Sequence, residues 1–352
     1  MCCLVGTKGI DWVFIMTNGP DPDRFFHFDT PGSQEWWYFD AISDDGKTAL
    51  VIVWYAGLPF DPAYGVATLR HLREPARHLA PNPLDHAAIG LSLYQRGKTA
   101  AYALNRYPAS KFVHKADPFS IAVARSCVER DESGYSLHVE TPAQDGRRSI
   151  LADLRFTPAP GTTPIERDLG GRGGPHQWIL AAPDCRVEGT IAISGRRGRS
   201  VSFRGRGYHD HNAGAEELSV AWTRWRWGRV HLGKSTAVYY QAEPRDGPTR
   251  SLWVVCDDGH PVSVRDDVPF SFDEWRRHPL GIRYAKQLGL EGSASWTHRD
   301  LVDYGPFYLR WLTDFNIEGE TGLGISELLE ARNLQKPWFN WMIPFRLKRP
   351  RD

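Results

Sequence analysis

Short strand-length segments separated by turn dipeptides constrain the fold of this chain more than any other feature of its sequence. Asp-Gly steps recur at positions 45–46, 145–146, 246–247 and 258–259, and such steps are strong hairpin signals. The runs of strand length are Glu35–Ala41, Ala49–Ala56, Gly90–Gln95, Ser120–Val128, Tyr135–Glu140, Ile150–Phe156, Gln177–Ala182, Val187–Ser194, Ser200–Arg204, Thr236–Ala242 and Ser251–Cys256. They do not alternate with long helices, so the pattern predicts an all-β chain built of barrels or sandwiches.

Helical periodicity is confined to two short segments, Asp273–His278 and Ser326–Leu334, for which we predict short helices. The stretch Pro158–Pro175 is rich in proline, glycine and charge, which predicts a long loop that could serve as a lid or binding loop. Two turns rich in Gly and Arg place a domain border within Gly195–Gly214. The 352 residues are enough for two domains. We expect an N-terminal extension over residues 1–23, a first domain over 24–205 and a second over 206–352.

Charge and cysteine content argue against several classes of function. Lys and Arg number 43 against 42 Asp and Glu, so no nucleic-acid partner is expected. The five cysteines match neither a disulfide framework nor zinc spacing, which fits a reducing compartment.

No signal-peptide pattern and no 18-residue apolar run occur, so we expect a cytoplasmic protein without a membrane span. The 14 tryptophans favour large apolar cavities.

One segment, Gly-Arg-Gly-Tyr-His-Asp-His-Asn-Ala-Gly, holds the densest group of chemically active side chains. In a strand, Tyr208, Asp210 and Asn212 share one face, while His209 and His211 share the other. The flanking glycines indicate close backbone approach or bulges. Asp210 could be a catalytic carboxyl, the two histidines could bind a metal, or the segment could be a polar strand end bonded to loops. The metal interpretation lacks a third ligand at suitable spacing, and we expect no metal.

A second segment, Pro-His-Gln-Trp, places His176 and Trp178 on one strand face. A histidine beside a tryptophan is more often a core residue than a catalyst. Two tryptophan-rich segments could be core or could line a tunnel for a long apolar ligand. Their candidate ligand-contacting residues are Trp36, Trp37, Trp225 and Trp227. Motifs for nucleotide binding, for a serine nucleophile elbow and for H-E-x-x-H zinc sites are absent from the sequence, so no cofactor is expected.

Six blocks in order make the chain similar to the carotenoid 1,2-hydratase (hydroxyneurosporene synthase) family. The blocks are Trp36–Gly46, Pro175–Pro183, Gly205–Gly214, Trp225–Arg229, Gly305–Tyr308 and Met342–Arg346. The resemblance implies two tandem lipocalin-like β-barrel domains with few short helices and no cofactor. The family's catalytic set is a His and Trp two apart, followed by a Tyr and Asp two apart. In this chain the resemblance carries those roles to His176, Trp178, Tyr208 and Asp210.

Two blocks depart from the family pattern. The usual Tyr-x-Asp-Ser-Asn is Tyr-His-Asp-His-Asn at Tyr208–Asn212, and a late His-Glu-Ser-Leu block has no histidine at Gly324–Leu328. Related lipocalin-like proteins with Tyr-His-Asp-His-Asn include plant-toxin hydratases and fungal cyclases or pericyclases. The departures put the carotenoid substrate in doubt. An isoprenoid or polyketide cyclase or isomerase that needs no cofactor, and a non-catalytic lipocalin-like carrier, therefore stay open as alternatives.

The reaction implied by the resemblance adds water to a terminal C=C of a long acyclic isoprenoid such as neurosporene or lycopene. Asp210 would protonate the alkene to a tertiary cation, and burial in an apolar barrel would raise its pKa to suit that role. Tyr208 would hold Asp210, Trp178 would face the cation, and His176 would take a proton from the attacking water. Asn212 and the four candidate tryptophans would contact the substrate.

A carotenoid-sized substrate lies in a bilayer, so we expect the enzyme to meet it at the inner face of the membrane. The C-terminal run Trp338–Arg351 combines Trp and Phe with four basic residues, an arrangement typical of interfacial segments. Part of the run could equally be a closing strand of the second barrel.

Overall fold

The computed structural model describes residues 21–171, 174–195, 198–336, 342 and 346–350. Within these ranges the chain is nearly all β, and its strands form two antiparallel, barrel-like sheets. The predicted all-β class is confirmed. No helix in the described residues is long and apolar enough to cross a membrane.

The first sheet contains twelve strands among the described residues. They are β1 (Gln34–Ser43), β2 (Thr48–Ala56), β3 (Ala87–Gln95), β4 (Lys98–Tyr107), β5 (Phe112–Ala116), β6 (Phe119–Val123), β7 (Ser126–Asp131), β8 (Gly134–Pro142), β9 (Ser149–Pro158), β10 (Ile165–Asp168), β11 (His176–Ile193) and β12 (Arg199–Gly214). Their order is β4-β3-β2-β1-β12-β11-β9-β8-β7-β6-β5, with β10 paired to β11. The two longest strands, β11 and β12, therefore lie near its centre.

The second sheet contains nine strands of the described chain. They are β13 (Trp222–Leu232), β14 (Ser235–Pro244), β15 (Arg250–Asp257), β16 (His260–Asp266), β17 (Phe270–Arg277), β18 (Arg283–Leu290), β19 (Ala294–Tyr304), β20 (Tyr308–Ile317) and β21 (Glu320–Leu329). Their order is β16-β15-β14-β13-β21-β20-β19-β18-β17. Short helices are α1 (Pro62–Arg73), α2 (Leu218–Ala221) and the 3-10 turns Pro83–His86, Ala109–Lys111 and Ala331–Gln335.

The helix predictions were largely wrong. Residues Asp273–His278 lie mainly in β17, because their backbone pairs with β18 in the second sheet. Ser326–Leu334 divides between β21 and the last 3-10 turn, since tertiary pairing overrides a short local period. Helix α1 was missed. Its N-cap is Asp61, whose carboxylate accepts a hydrogen bond from the Ala63 N–H at 3.0 Å, and Pro62 is its first residue. An Asp at the N-cap and a Pro in the first turn are both ordinary signals for the start of a helix.

Several strand bounds also differ from the prediction. The two runs predicted over 177–194 form the single strand β11, while Ser120–Val128 folds back as the β6–β7 hairpin. The predicted loop Pro158–Pro175 contains β10. The predicted border between residues 205 and 206 falls inside β12, all of which pairs within the first sheet. The chain passes to the second sheet between β12 and β13, and the division into domains stays a prediction.

Three core clusters explain where a ligand could enter. One consists only of first-sheet residues, among them Trp37, Phe39 and Trp54. Another consists only of second-sheet residues. The third combines residues from both sheets, including Trp178 and Tyr208 of the first and Trp225 and Trp227 of the second. This third cluster lies between the sheets, and it holds five of the predicted site residues, Trp36, Trp178, Tyr208, Trp225 and Trp227.

Candidate active site

Strands β1, β11 and β12 place the predicted catalytic side chains on the inter-sheet face. Trp178 lies opposite Asn212, and Tyr38 lies opposite Asp210, in antiparallel register. Alternation along β12 sends Tyr208, Asp210 and Asn212 to this face, as the sequence predicted. The predicted close backbone approach is confirmed at Gly205, since a Cβ there would lie 2.1 Å from the Ile42 carbonyl oxygen.

Asp210 is buried and accepts hydrogen bonds from neutral donors only. Its Oδ2 accepts from the Tyr208 hydroxyl at 2.7 Å and from the Trp178 Nε1–H at 2.9 Å, and its Oδ1 accepts from the Asn212 amide at 3.0 Å. Burial raises the pKa of Asp210 to about 7, although the bonds from Trp178 and Tyr208 lower it in part. A carboxyl in this state can carry a proton at neutral pH and donate it.

His176 contacts the site through Asn212. Its Nε2 lies 3.4 Å from the Asn212 Oδ1, and burial lowers its pKa to about 4, so the ring is neutral at pH 7. Its Nδ1 has no hydrogen-bond partner among the described residues and faces Gly214, where a Cβ would lie 2.9 Å away. The ring packs against Trp36 and Trp222. His176 can therefore orient Asn212 in the order His176–Asn212–Asp210.

A small cavity of about 270 Å³ exposes Asp210 between the sheets. We call it the acid pocket, and its lining residues are Trp36, Tyr38, Asp210, Asn212, Trp225, Trp227, Tyr240 and Glu327. A larger cleft of about 970 Å³, partly open to solvent, shares Trp36, Tyr38, Trp225 and Glu327 with it. We call this the aromatic cleft. The two spaces share these four residues and therefore lie side by side.

Three of the four candidate tryptophans, Trp36, Trp225 and Trp227, line the acid pocket. Trp36 stacks on Trp225 with ring centroids 5.9 Å apart, and Trp227 meets the Tyr208 ring at 5.2 Å. Trp37 does not belong to the site, because its neighbour Trp36 faces the cavity and alternation turns Trp37 into the first-sheet core. Trp178 is not among the residues lining the cavity either. Its N–H holds Asp210, and its ring packs against Tyr240 at 5.7 Å.

The sequence prediction missed a buried ionic group at the junction of the two spaces. The Glu327 Oε1 accepts hydrogen bonds from the Tyr38 hydroxyl at 3.0 Å and from the Arg310 Nε–H at 2.7 Å. Arg310 also donates to the Tyr94 hydroxyl at 2.8 Å and lies 3.8 Å from Asp303. Arg310 and Glu327 are paired neighbours on β20 and β21. One available signal was Glu327 itself, within the late block that departs from the family pattern.

The two histidines of β12 lie on the opposite face. His209 lies 2.8 Å from an Asp23 oxygen and 2.9 Å from the Tyr38 carbonyl, while His211 lies 2.7 Å from Glu35 and 3.0 Å from the Pro22 carbonyl. Every ring nitrogen of the two histidines faces an oxygen of a carboxylate or a backbone carbonyl. The described residues contain no group of three or more metal-ligating side chains.

The predicted membrane segment lies mostly outside the described residues. Its described part is docked onto the fold. Lys348 pairs with β4 through its N–H to the Leu104 carbonyl at 2.9 Å, and Arg346 binds Asp303 at 2.5 Å. Lys348 thus pairs with the first sheet, so this described part is not the closing strand of the second barrel that was considered as the alternative.

Comparisons with known proteins show the family of the chain. A family model described as "Carotenoid hydratase CrtC" matches residues 55–352. The chain is 30% identical over 342 residues to a hydroxyneurosporene dehydrogenase of Chlorobaculum tepidum, covering 87% of this chain and 85% of the relative. It is 29% identical to an acyclic carotenoid 1,2-hydratase of Thiocapsa roseopersicina, over 98% of this chain and 81% of the relative.

The fold is also that of a solved protein. The crystal structure of a putative AttH from Nitrosomonas europaea matches with a TM-score of 0.60 and 17% identity, over 94% of this chain and 100% of the other. At this identity the likeness shows the fold alone, and it confirms the lipocalin-like architecture expected from the sequence.

Proposed function

We propose that this chain, which belongs to the carotenoid hydratase CrtC family, adds water to a terminal C=C of an acyclic carotenoid. The observation that carries the proposal is Asp210, a buried carboxyl held by neutral donors at the end of an apolar cleft. Family membership supports hydration of acyclic carotenoids. Neurosporene and lycopene are the proposed substrates.

Protonation by Asp210 is the proposed first step. Its Oδ2 already accepts two hydrogen bonds, which favours the transferable proton on Oδ1, beside Asn212. Transfer to the terminal alkene leaves a tertiary cation and an Asp210 carboxylate. Tyr208 and Trp178 then stabilise that carboxylate through the bonds they already donate. His176 positions Asn212, and Asn212 positions Asp210 and the substrate.

The aromatic wall is proposed to face the cation. Trp36, Trp225 and Trp227 line the acid pocket, and a desolvated cation over an indole face gains about 2 kcal/mol or more. For Trp178 we propose a role other than the one expected, which is to hold the acid through its N–H. The surrounding apolar surface limits the number of water molecules, which keeps the cation from being quenched before it is positioned.

Product analysis in isotopic water tests the proposal against its alternatives. Purified protein is incubated with lycopene, neurosporene and squalene in water enriched in ¹⁸O. A tertiary alcohol that carries ¹⁸O is expected from the acyclic carotenoids. A cyclised or isomerised product without solvent oxygen would identify the cyclase or isomerase alternative. Tight binding without any product would identify a carrier.

We further propose that the chain takes its substrate from a membrane surface, because carotenoids partition into bilayers. Flotation with anionic liposomes tests this by comparing the intact protein with a Trp338→Ser, Trp341→Ser variant. Truncation after residue 345 is unsuitable, since it removes Arg346 and its contact with Asp303. Reduced flotation of the double variant is expected. Equal flotation would move the membrane contact elsewhere on the protein.

A further inference from the structure

Two carboxyl groups with different partners face the acid pocket. Asp210 accepts bonds from neutral groups, whereas Glu327 is bonded to the guanidinium of Arg310 at 2.7 Å. Glu327 therefore lies beside a cation, whereas Asp210 lies among neutral donors. Pairs of titratable groups in contrasting environments commonly divide the acid and base roles of a reaction.

Glu327 has one oxygen available for a further ligand. Both of its donors, Tyr38 and Arg310, bond Oε1. Among the residues that the structure describes, none donates a hydrogen bond to Oε2. Glu327 lines both the acid pocket and the aromatic cleft. A water held by Oε2 would therefore lie in the same small space as the alkene carbon that Asp210 makes cationic.

His176 is poorly placed for the same task. Its ring is not among the residues that line the acid pocket, and its Nε2 is directed to Asn212. Its unpartnered Nδ1 faces the backbone of Gly214. A proton from a water in the pocket would have to pass through the Asn212 amide to reach it.

We propose that Glu327 is the catalytic base that binds the attacking water and accepts its proton. This inference rests on the proposed hydration. The alkene π electrons take the Asp210 proton to form a C–H bond, and the water oxygen forms the C–O bond at the tertiary cation. One O–H bond of the resulting oxonium breaks, and its proton moves to Glu327 Oε2.

The cycle closes within the acid pocket. The proton on Glu327 returns through pocket water to the Asp210 carboxylate, so the net change is alkene plus water to alcohol. Burial is the main cause that raises the pKa of Asp210, and the nearby Glu327 is a smaller contribution. Protonation of the alkene by Asp210 therefore does not depend on the base.

The substitution Glu327→Gln tests the proposal in D₂O with lycopene. It retains an oxygen acceptor and removes the base. Alcohol formation should fall roughly 100-fold or more, the usual range for loss of a general base. Deuterium uptake into recovered alkene should persist, because Asp210 still forms the cation and the cation returns by losing a proton. In Asp210→Asn both alcohol formation and deuterium uptake should be lost.

Each other outcome is decisive. Alcohol formation by Glu327→Gln at the rate of the unmodified protein overturns the base role. Loss of deuterium uptake by a Glu327→Gln protein whose thermal unfolding is unchanged would also overturn the base role. Glu327 would then act on the protonation of the alkene. If Asp210→Asn still forms alcohol, the proposed function itself fails.

A matched control is Glu243→Gln, which alters a carboxylate bonded to buried Arg226 at 2.6 Å outside the pocket. Its rate of alcohol formation should stay within twofold of that of the unmodified protein.

A second variant covers the case in which Glu327→Gln does not fold. Glu327→Asp keeps the negative charge beside Arg310 but withdraws it by one methylene. Alcohol formation should fall about tenfold or more, with deuterium uptake retained, because general-base catalysis depends on hydrogen-bond reach. An unchanged rate of alcohol formation would again overturn the proposal.

Discussion

The two faces of strand β12 carry similar residues in opposite electrostatic settings. On the inter-sheet face, Asp210 accepts bonds from Tyr208, Trp178 and Asn212, all of them neutral. On the first-sheet core face, Asp23 is bonded to His209 at 2.8 Å and to Arg130 at 2.5 Å. Both carboxyls are buried, so burial alone does not distinguish them.

Their pKa values move in opposite directions. Burial raises the pKa of both groups. For Asp23 the hydrogen bond and charge of His209, together with Arg130, outweigh burial and leave the pKa below its usual value. For Asp210 no cation is bonded, and the pKa rises to about 7. The comparison teaches that the charge of the hydrogen-bond donors decides whether a buried carboxyl is a proton donor or a structural anion.

The largest effect should come from Asp210→Asn, which keeps the shape of the side chain and removes its proton. We expect a loss of turnover of about 1,000-fold, within the range of general-acid catalysis. Alcohol formation from lycopene under single-turnover conditions measures it. Retention of more than a few per cent of the rate would show that Asp210 is not the acid.

The same variant should fold, and at pH 8 it should be more stable than the unmodified protein. The folded-state pKa of Asp210 is raised to about 7 from 3.8. The stability that this group contributes is complete below its unfolded pKa and is lost as the pH rises through about 7. Asn has no proton to lose, so the free energy of unfolding of the variant does not fall with pH in this way. At about 1.4 kcal/mol per pKa unit, the difference from the unmodified protein is worth a few kcal/mol. Urea unfolding at pH 5 and pH 8 measures the difference.

The second largest effect should come from Asp23→Asn on the other face of the strand. Removing the anion breaks the contacts of Asp23 with His209 and Arg130, while Arg130 keeps its contact with Asp21 at 2.8 Å. Breaking a buried ion pair costs roughly 3–5 kcal/mol. Urea unfolding at pH 7 should show this loss of stability. Turnover per folded molecule should stay within about threefold. A stable Asp23→Asn protein with a 100-fold lower turnover would contradict the division of roles between the two faces.

Strand alternation explains how much of the site the sequence could predict. It placed Tyr208 with Asp210, and His176 with Trp178, because side-chain direction in a strand depends only on parity. The choice of face was not local. Asp210 was expected inside a barrel, but it lies between the two sheets. The sequence does not show this, because both faces of β12 are buried and the strand has no polar and apolar side to compare.

Contacts between distant strands explain what the sequence could not predict. Glu327 joins Tyr38 across 289 positions of the chain, and a single sequence carries no local signal for such a contact. The same limit applies to the wrong helix at Asp273–His278, whose strand conformation depends on pairing with β18. Trp36 and Trp37 are a different case. Alternation alone separates them, because adjacent residues of a strand point to opposite faces.

The smallest effect should come from Tyr208→Phe, and it sharpens the comparison by altering one neutral donor. Removing a hydrogen bond to a charged group costs about 1.5–3 kcal/mol, which is roughly a tenfold to a hundredfold loss of turnover. The pH profile carries the more specific signal. Turnover of the unmodified protein should be constant below about pH 7 and fall tenfold per unit above it, since only protonated Asp210 is active. The Tyr208 bond lowers the pKa of Asp210, so its loss should move this limb to higher pH. A limb that stays in place while turnover falls would mean that Tyr208 positions the substrate and does not tune the acid.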